Sequence, residues 1–179
     1  MIYLPTEQAT AEDSHCMRLR VQVLSGRGEE FKDKGIVRDI EMLPHHTLDD
    51  LHYWIGRAFD MDNDHLWEFY VGPRRPYVRT GRITCGEMGD YGDVERIAWE
   101  VTLEDLKLRP RKTFYYVFDF GDSWWYKISV AKLKAPLAEG AEYPRIVERI
   151  GKSPEQYPVY DDDEDDEDEV LHCWRGGEA

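Results

Sequence analysis

The sequence predicts an α+β protein of one domain, in which a mixed, mostly antiparallel sheet carries a main helix on one face. Three observations lead there. Met17, Leu19, Val21 and Val23 alternate with Arg18, Arg20 and Gln22, the period of two expected of a strand with one buried face. Leu48, Leu51, Ile55, Ala58 and Phe59 recur at spacings of three and four, which draws an apolar stripe along a helix. Thr113 to Phe118 and Trp124 to Val130 flank a Gly121-Asp122 turn, a hairpin signal dense in β-forming aromatics.

The elements follow in order. Gly26 to Lys34 is rich in glycine and charge and reads as a loop. Ile36, Val37, Ile40 and Met42 then make a second strand ahead of Pro44, so the first two strands form a hairpin with a long tip. Thr47 stands at an N-cap, with Asp49 and Asp50 beside the positive end of the helix dipole, and the helix runs over about 47–59. His65 to Val71 reads as a strand interrupted by Gly72-Pro73. Arg74 to Tyr91, with its prolines and glycines, is expected to hold short strands and loops. Thr102 and Asp105 resemble a capping box ahead of Leu103, Leu106 and Leu108, which predicts a short helix ending before Pro110. Past the aromatic hairpin, Ser153-Pro154-Glu155-Gln156 predicts one more helical turn, stopped by Pro158.

This divides the chain into an N-terminal tail over 1–14, a domain over 15–160 and an acidic C-terminal tail over 161–179. The run Asp161 to Glu169 contains nine acids in a row, which repel one another and bury nothing. Beyond it, Val170, Leu171, Cys173 and Trp174 are apolar enough to dock back onto the domain.

Composition excludes several classes. The net charge is −14, so there is no excess of Lys and Arg to displace the counterions of nucleic acid or to hold an anionic membrane. No apolar run approaches a membrane span, and Met1 to Ser14 lacks the form of a secretory signal, so a cytoplasmic location is expected. Cys16, Cys85 and Cys173 lie far apart and form neither a disulfide framework nor a CxxC pair.

Candidate chemistry is sparse. Asp60-Met61-Asp62-Asn63-Asp64 opens like a calcium loop, but position six is His65 and position twelve is Val71, so a polar turn is expected instead. His45, His46, His52 and His65 cluster around the helix without a known metal spacing. His52 and His65 can meet if the strand returns beside the helix, with Asp119 or Asp122 from the hairpin nearby. Hydrogen-bonded structural histidines are the expected reading, and an acid-base or metal site the alternative. Ser123 lacks a positioned base, and no phosphate loop, nucleophile elbow or dinucleotide motif is present. Arg74, Arg75, Arg79 and Arg82 form one basic patch and Arg109, Arg111 and Lys112 another, both expected to be ordinary solvated or paired charge.

Three blocks, T-L-D-D-L-H at Thr47 to His52, D-N-D-H-L-W-E-F at Asp62 to Phe69 and F-D-F-G-D-S-W at Phe118 to Trp124, together resemble the plasmid pRiA4b ORF-3-like family. The resemblance covers Cys16 to Pro158, including E-Y-P-R at Glu142 to Arg145. It implies a mixed α+β domain and a bacterial, archaeal or mobile-element origin. A resolvase label carried by some members is not supported, because the tail here is acidic. The family's Trp-Glu-His is replaced by Trp124-Trp125-Tyr126, which removes a histidine that could have joined His52 and His65.

The expected function is a non-enzymatic interaction or accessory module, associated with a mobile or phage-like element, that engages a protein partner with a basic surface. Its binding residues are expected to be Trp125 and the acids Asp161, Asp162, Asp163, Glu164, Asp165 and Asp166. The alternative is an enzyme or metal-dependent protein with its site between the helix and the 119–124 turn, involving His52, His65, Asp119 and Asp122. Mimicry of DNA ranks third. No cofactor or metal is expected. Trp125 has two readings: pleating turns it away from the core, where it either anchors a partner or is covered by Leu171, Trp174 or another loop.

Overall fold

Alternation in the first long strand is continued by its neighbours, and the computed structural model shows what they build. It describes residues 6–72, 81–86 and 96–157. The strands are β1 (Glu7–Gln8), β2 (Cys16–Gly26), β3 (Glu29–Glu30) and β4 (Val37–Met42), followed by the helix α1 (Leu48–Phe59). Next come β5 (Trp67–Tyr70), β6 (Arg82–Thr84) and β7 (Arg96–Ile97), then a 3-10 turn at Ala98–Glu100. The chain closes with β8 (Thr113–Phe118), β9 (Trp124–Ala135), β10 (Glu142–Tyr143) and β11 (Arg145–Ile150). Among the described residues one sheet runs in the order β11-β4-β2-β9-β8-β5-β6-β7, with β3 on the end of β2 and β1 paired separately with β10. All its pairs are antiparallel except β6 with β7. The molecule is thus a single α+β domain with one main helix on a mostly antiparallel sheet.

Pleating sorts the side chains. Leu19, Val21 and Val23 of β2, Tyr126 and Ile128 of β9 and Phe114 and Tyr116 of β8 point to the face that α1 covers. The helix answers with Leu48, Leu51, Ile55, Ala58 and Phe59, none more than 1% exposed. Burying each large apolar side chain stabilises the fold by about 1.5–3 kcal/mol. Thr47 closes a full capping box with Asp50, in which the Asp50 N–H donates to Thr47 Oγ1 and the Thr47 N–H donates to Asp50 Oδ2. At the other end Asp60 takes a left-handed conformation (φ 61°). The buried Arg38 donates there to the Ala58 carbonyl at 2.8 Å and lies over the Phe59 ring.

The opposite face carries ion pairs and a second aromatic cluster. Glu41, 1% exposed, accepts from Arg18 at 2.6 Å and from Arg145 at 2.6 Å, while Asp39 accepts from Arg20 at 2.7 Å. Glu68 of β5 is held by Tyr70 and Arg82, so Arg82 is paired, as expected for that patch. Arg74, Arg75 and Arg79 lie outside the described residues, as do Cys173 and the acidic run Asp161 to Glu169 with the apolar residues after it.

Two expected helices are not formed. Thr102 and Asp105 make their capping-box bonds, but the Leu103 and Glu104 N–H groups donate to the His46 and Pro44 carbonyls, and Lys107 turns left-handed (φ 45°). The segment is therefore a turn docked on residues 44–46. At Ser153 to Gln156 the polar side chains likewise reach across the molecule. Ser153 Oγ donates to Asp60 Oδ2 at 3.0 Å, and Gln156 brackets the Asp62 backbone, accepting from its N–H at 2.7 Å and donating to its carbonyl at 3.2 Å. These bonds fix the 60–66 turn, which is the polar turn expected in place of a calcium loop.

Burial raises the Glu41 carboxyl, but bonds from Arg18 and Arg145 outweigh it and hold the group below its ordinary 4.5. The linked stability is present above that value and is lost as pH falls through the folded-state value. Glu41→Ala is expected to lower the unfolding free energy by about 1.5–3 kcal/mol, and the exposed Glu148→Ala by less than about 1 kcal/mol. Urea unfolding at pH 7 reads both.

Candidate functional site

The capping box at Thr47 sets the rotation of α1, and that rotation puts His52 over the sheet and Asp49 and Tyr53 toward its rim. His52 is 2% exposed and stacks on Trp67 of β5 with ring centroids 4.1 Å apart and planes 12° from parallel. Its Nδ1 shares a hydrogen bond of 2.6 Å with Tyr116 Oη from β8. Burial pushes the imidazole down from 6.5 to about 3, so it is neutral at physiological pH, and it pushes the Tyr116 phenol well up. A histidine in this state does not take a proton near neutrality.

His65 lies at the surface end of the same cluster, with its ring edge against Phe118 at 5.9 Å. Its Nε2 is 3.1 Å from Tyr157 Oη and 3.6 Å from Asp119 Oδ2. Asp119 itself is committed to the hairpin turn, where Oδ1 accepts from the Gly121 N–H at 2.9 Å and the Asp122 N–H at 3.3 Å. Asp122 turns the other way and pairs with Arg27 at 3.3 Å. Of the four expected residues, His52, His65 and Asp119 gather around Phe118, and Asp122 does not.

Above His52 opens a pocket of about 520 Å³, lined by Asp49, Tyr53, Asp64, His65, Trp67 and Trp99, with His52, Asn63, Leu66 and Cys85 completing it. Two close approaches shape it. Gly56 of α1 leaves room for Asn63, since a Cβ there would lie 2.1 Å from Asn63 Oδ1. Gly86, at φ 81°, lets the Trp99 ring lie on the backbone, where a Cβ would come within 2.1 Å of the indole. Trp99 is thereby held at the rim with 50% of its surface exposed. Neither Asp49 nor Trp99 was legible as a site residue, because both belong to segments whose sequence signals are those of a helix start and an ordinary connection.

A second group lies at the far end of the helix's approach. Glu7 Oε1 is 2.5 Å from His45 Nε2 and 2.9 Å from His46 Nε2, and the three ligand-type atoms lie within 4.8 Å of one another. The Leu43 N–H donates to His46 Nδ1 at 3.2 Å, which leaves the His46 proton on Nε2, facing Glu7. That arrangement is a hydrogen-bonded clasp, since a metal on Nε2 would need the proton on Nδ1. His45 also approaches Asp13 at 3.4 Å, and its pKa is raised, with bonds and charge from Glu7 outweighing burial. The clasp fastens the stretch before Ser14, read from the sequence as a tail, whose Glu7 and Gln8 also pair with β10.

Trp125 is not an open anchor. It is 7% exposed and stacks on Tyr70 at 5.6 Å and 17°, in a cluster with Leu24, Tyr115 and Val117 on the outer face of the sheet. Of its two readings, coverage within the chain is the one that the geometry supports, and Tyr70 supplies part of that cover. In the other basic patch, Arg111 lines a shallow pocket of about 440 Å³ with Lys127, Thr113 and Tyr115, and Lys112 Nζ donates to the Gly72 carbonyl. Among the described residues, no helix is long and apolar enough to cross a membrane.

Comparison with known proteins agrees with the fold and supplies no chemistry. Residues 18–176 match the family model described as plasmid pRiA4b ORF-3-like protein. A protein of Sinorhizobium fredii (strain NBRC 101917 / NGR234), described as uncharacterized protein y4hQ, is 32% identical over 108 residues, covering 60% of this chain and 50% of that one. The chain thus spans about half the length of this relative. A crystal structure of a protein of unknown function, MM3350 from Methanosarcina mazei Go1, superposes with a TM-score of 0.54 at 26% identity, covering 76% of this chain and 70% of that chain.

The state of His52 is open to a direct check. The unfolded chain binds its proton below about 6.5 while the folded chain does not until about 3, so acid favours unfolding between those values. Stability is expected to fall with pH from 6.5 downward, at a limiting slope of about 1.4 kcal/mol per pH unit from this group. In His52→Gln the drop between pH 6.5 and 5 should be smaller than in the parent, as read by urea titration at each pH.

Proposed function

We propose that this chain, which belongs to the plasmid pRiA4b ORF-3-like family, is a non-enzymatic interaction module whose acidic surface engages a basic protein partner. The observation that carries this reading is His52. The most deeply placed polar group of the candidate site is neutral, stacked on Trp67 and bonded to the core phenol of Tyr116, so it supports the site instead of reacting in it. Asp119 is likewise occupied by backbone N–H groups of its own turn. What remains open to solvent is acidic and aromatic, and the net charge of −14 favours encounter with a basic surface.

The run of Asp161, Asp162, Asp163, Glu164, Asp165 and Asp166 adds salt-dependent electrostatic attraction to that encounter, and the accessory role fits a gene carried on a mobile or phage-like element. A DNA mimic would instead need carboxylates spaced like phosphates over a rigid face, whereas here they are gathered in one run of sequence. The alternative, a metal-dependent protein, has its best support in Glu7, His45 and His46, and the His46 proton on Nε2 speaks against it.

Two measurements test the proposal. Capture from the native cell is expected to retain a protein of high isoelectric point at low salt and to release it near about 1 M salt, where charges beyond about 3 Å are screened. Protein purified without an affinity tag is expected to contain no stoichiometric transition metal. One equivalent of metal, lost together with His45→Ala, would contradict the proposal.

A further inference from the structure

We infer that the pocket beside α1 receives the cationic side chain of a lysine or arginine from the basic partner, with Asp49 and Trp99 as its two main contacts. This rests on the interaction reading above and names where that interaction is seated.

Three features of the pocket point to a cation. Its charged lining among the described residues is Asp49 and Asp64, joined by His65 and by no lysine or arginine. An anion would therefore be repelled. Among the described residues, the Asp49 carboxylate has no hydrogen-bond or ion-pair partner, although it is half-buried in the first turn of the helix. Burial, with Asp50 beside it, holds its carboxyl above the ordinary 3.8. A carboxylate partly stripped of water and left unpaired gains most from a cation placed next to it. Asp64 differs, because it accepts from Tyr157 Oη at 3.2 Å and stays largely exposed at the mouth.

The walls supply the second half of the recognition. Trp99 is half exposed and is seated on Gly86, so its indole keeps its place without a ligand and loses little freedom when one arrives. Tyr53 and Trp67 continue the aromatic surface inward. An ammonium or guanidinium group over an indole face gains cation–π attraction, and the side chain's methylene stem covers the apolar part of the wall. A volume of about 520 Å³ admits one long side chain and some water. His52 below is neutral, so the floor adds no competing charge.

Binding of fluorescein-labelled octalysine to the full-length protein, followed by anisotropy at low salt, tests the assignment. The comparison set is Asp49→Asn, Trp99→Ala and a full-length variant in which the acids of 161–169 are replaced by their amides. Asp49→Asn and Trp99→Ala are each expected to weaken binding by about tenfold, in the parent and in the tail-neutral background alike. Their melting temperatures should stay close to the parent's, and Asp49→Lys gives a second, stronger version if Trp99→Ala fails to fold. If Asp49→Asn and Asp49→Lys leave affinity unchanged while the tail-neutral variant loses it, the pocket assignment is overturned and the basic-partner reading survives through the tail. If the parent does not bind octalysine, or binds octanorleucine equally well, both fail.

Discussion

The pairing of β2 with β9 is the constraint on which the rest of the structure depends. These are the two longest strands, 11 and 12 residues, and they lie side by side near the middle of the sheet. Their register places Leu19 opposite Val130, Val21 opposite Ile128 and Val23 opposite Tyr126. Because successive residues of a strand face opposite ways, this one alignment makes an apolar floor for α1 and sends Arg18, Arg20 and Trp125 to the other side. A slip of one residue would bury the arginines under the helix.

The two faces then solve different problems. Under the helix the floor is aromatic, and a histidine is tolerated there because Trp67 stacks on it and Tyr116 satisfies one nitrogen. On the far side, charges are buried in pairs. Glu41 lies between Arg18 and Arg145, so β2, β4 and β11 are tied across three adjacent strands. The pocket forms where the helical layer ends, with Asp49 from α1, Asp64 from the turn that Gln156 fastens and Trp99 from the 3-10 turn meeting at its rim. Under the proposed interaction reading, function follows from what that rim presents, on a scaffold in which burial keeps His52 neutral.

Much of the fold was legible because its signals are local. The alternation from Met17, the stripe from Leu48 to Phe59 with its Thr47 cap, and the aromatic hairpin over Thr113 to Val130 are each specified within one short stretch of chain. The two helices that did not form show where local signals end: at Leu103 and Gln156 the bonding groups found partners distant in sequence, on residues 44–46 and on Asp62. Of the candidate site, the meeting of His52, His65 and Asp119 was readable from the family's polar blocks. Asp122 was misplaced because a turn can send carboxylates three residues apart to opposite sides, and here Arg27 pairs with it. Glu7 was invisible as a partner of His45 and His46, since a contact across 38 residues leaves no mark in spacing. Trp125 was correctly turned away from the helix, but only the three-dimensional neighbourhood of Tyr70, Tyr115 and Val117 shows that it is covered.

The proposed interaction requires that His52 stay neutral beneath the pocket, and the most direct measurement of that is the ring nitrogen chemical shifts of His52 by NMR between pH 5 and 8. The expected result is one neutral tautomer throughout, with both shifts constant across the range, as a group held at about 3 requires. A titration centred near neutrality would contradict the account, because His52 would then be a proton carrier at the base of the pocket.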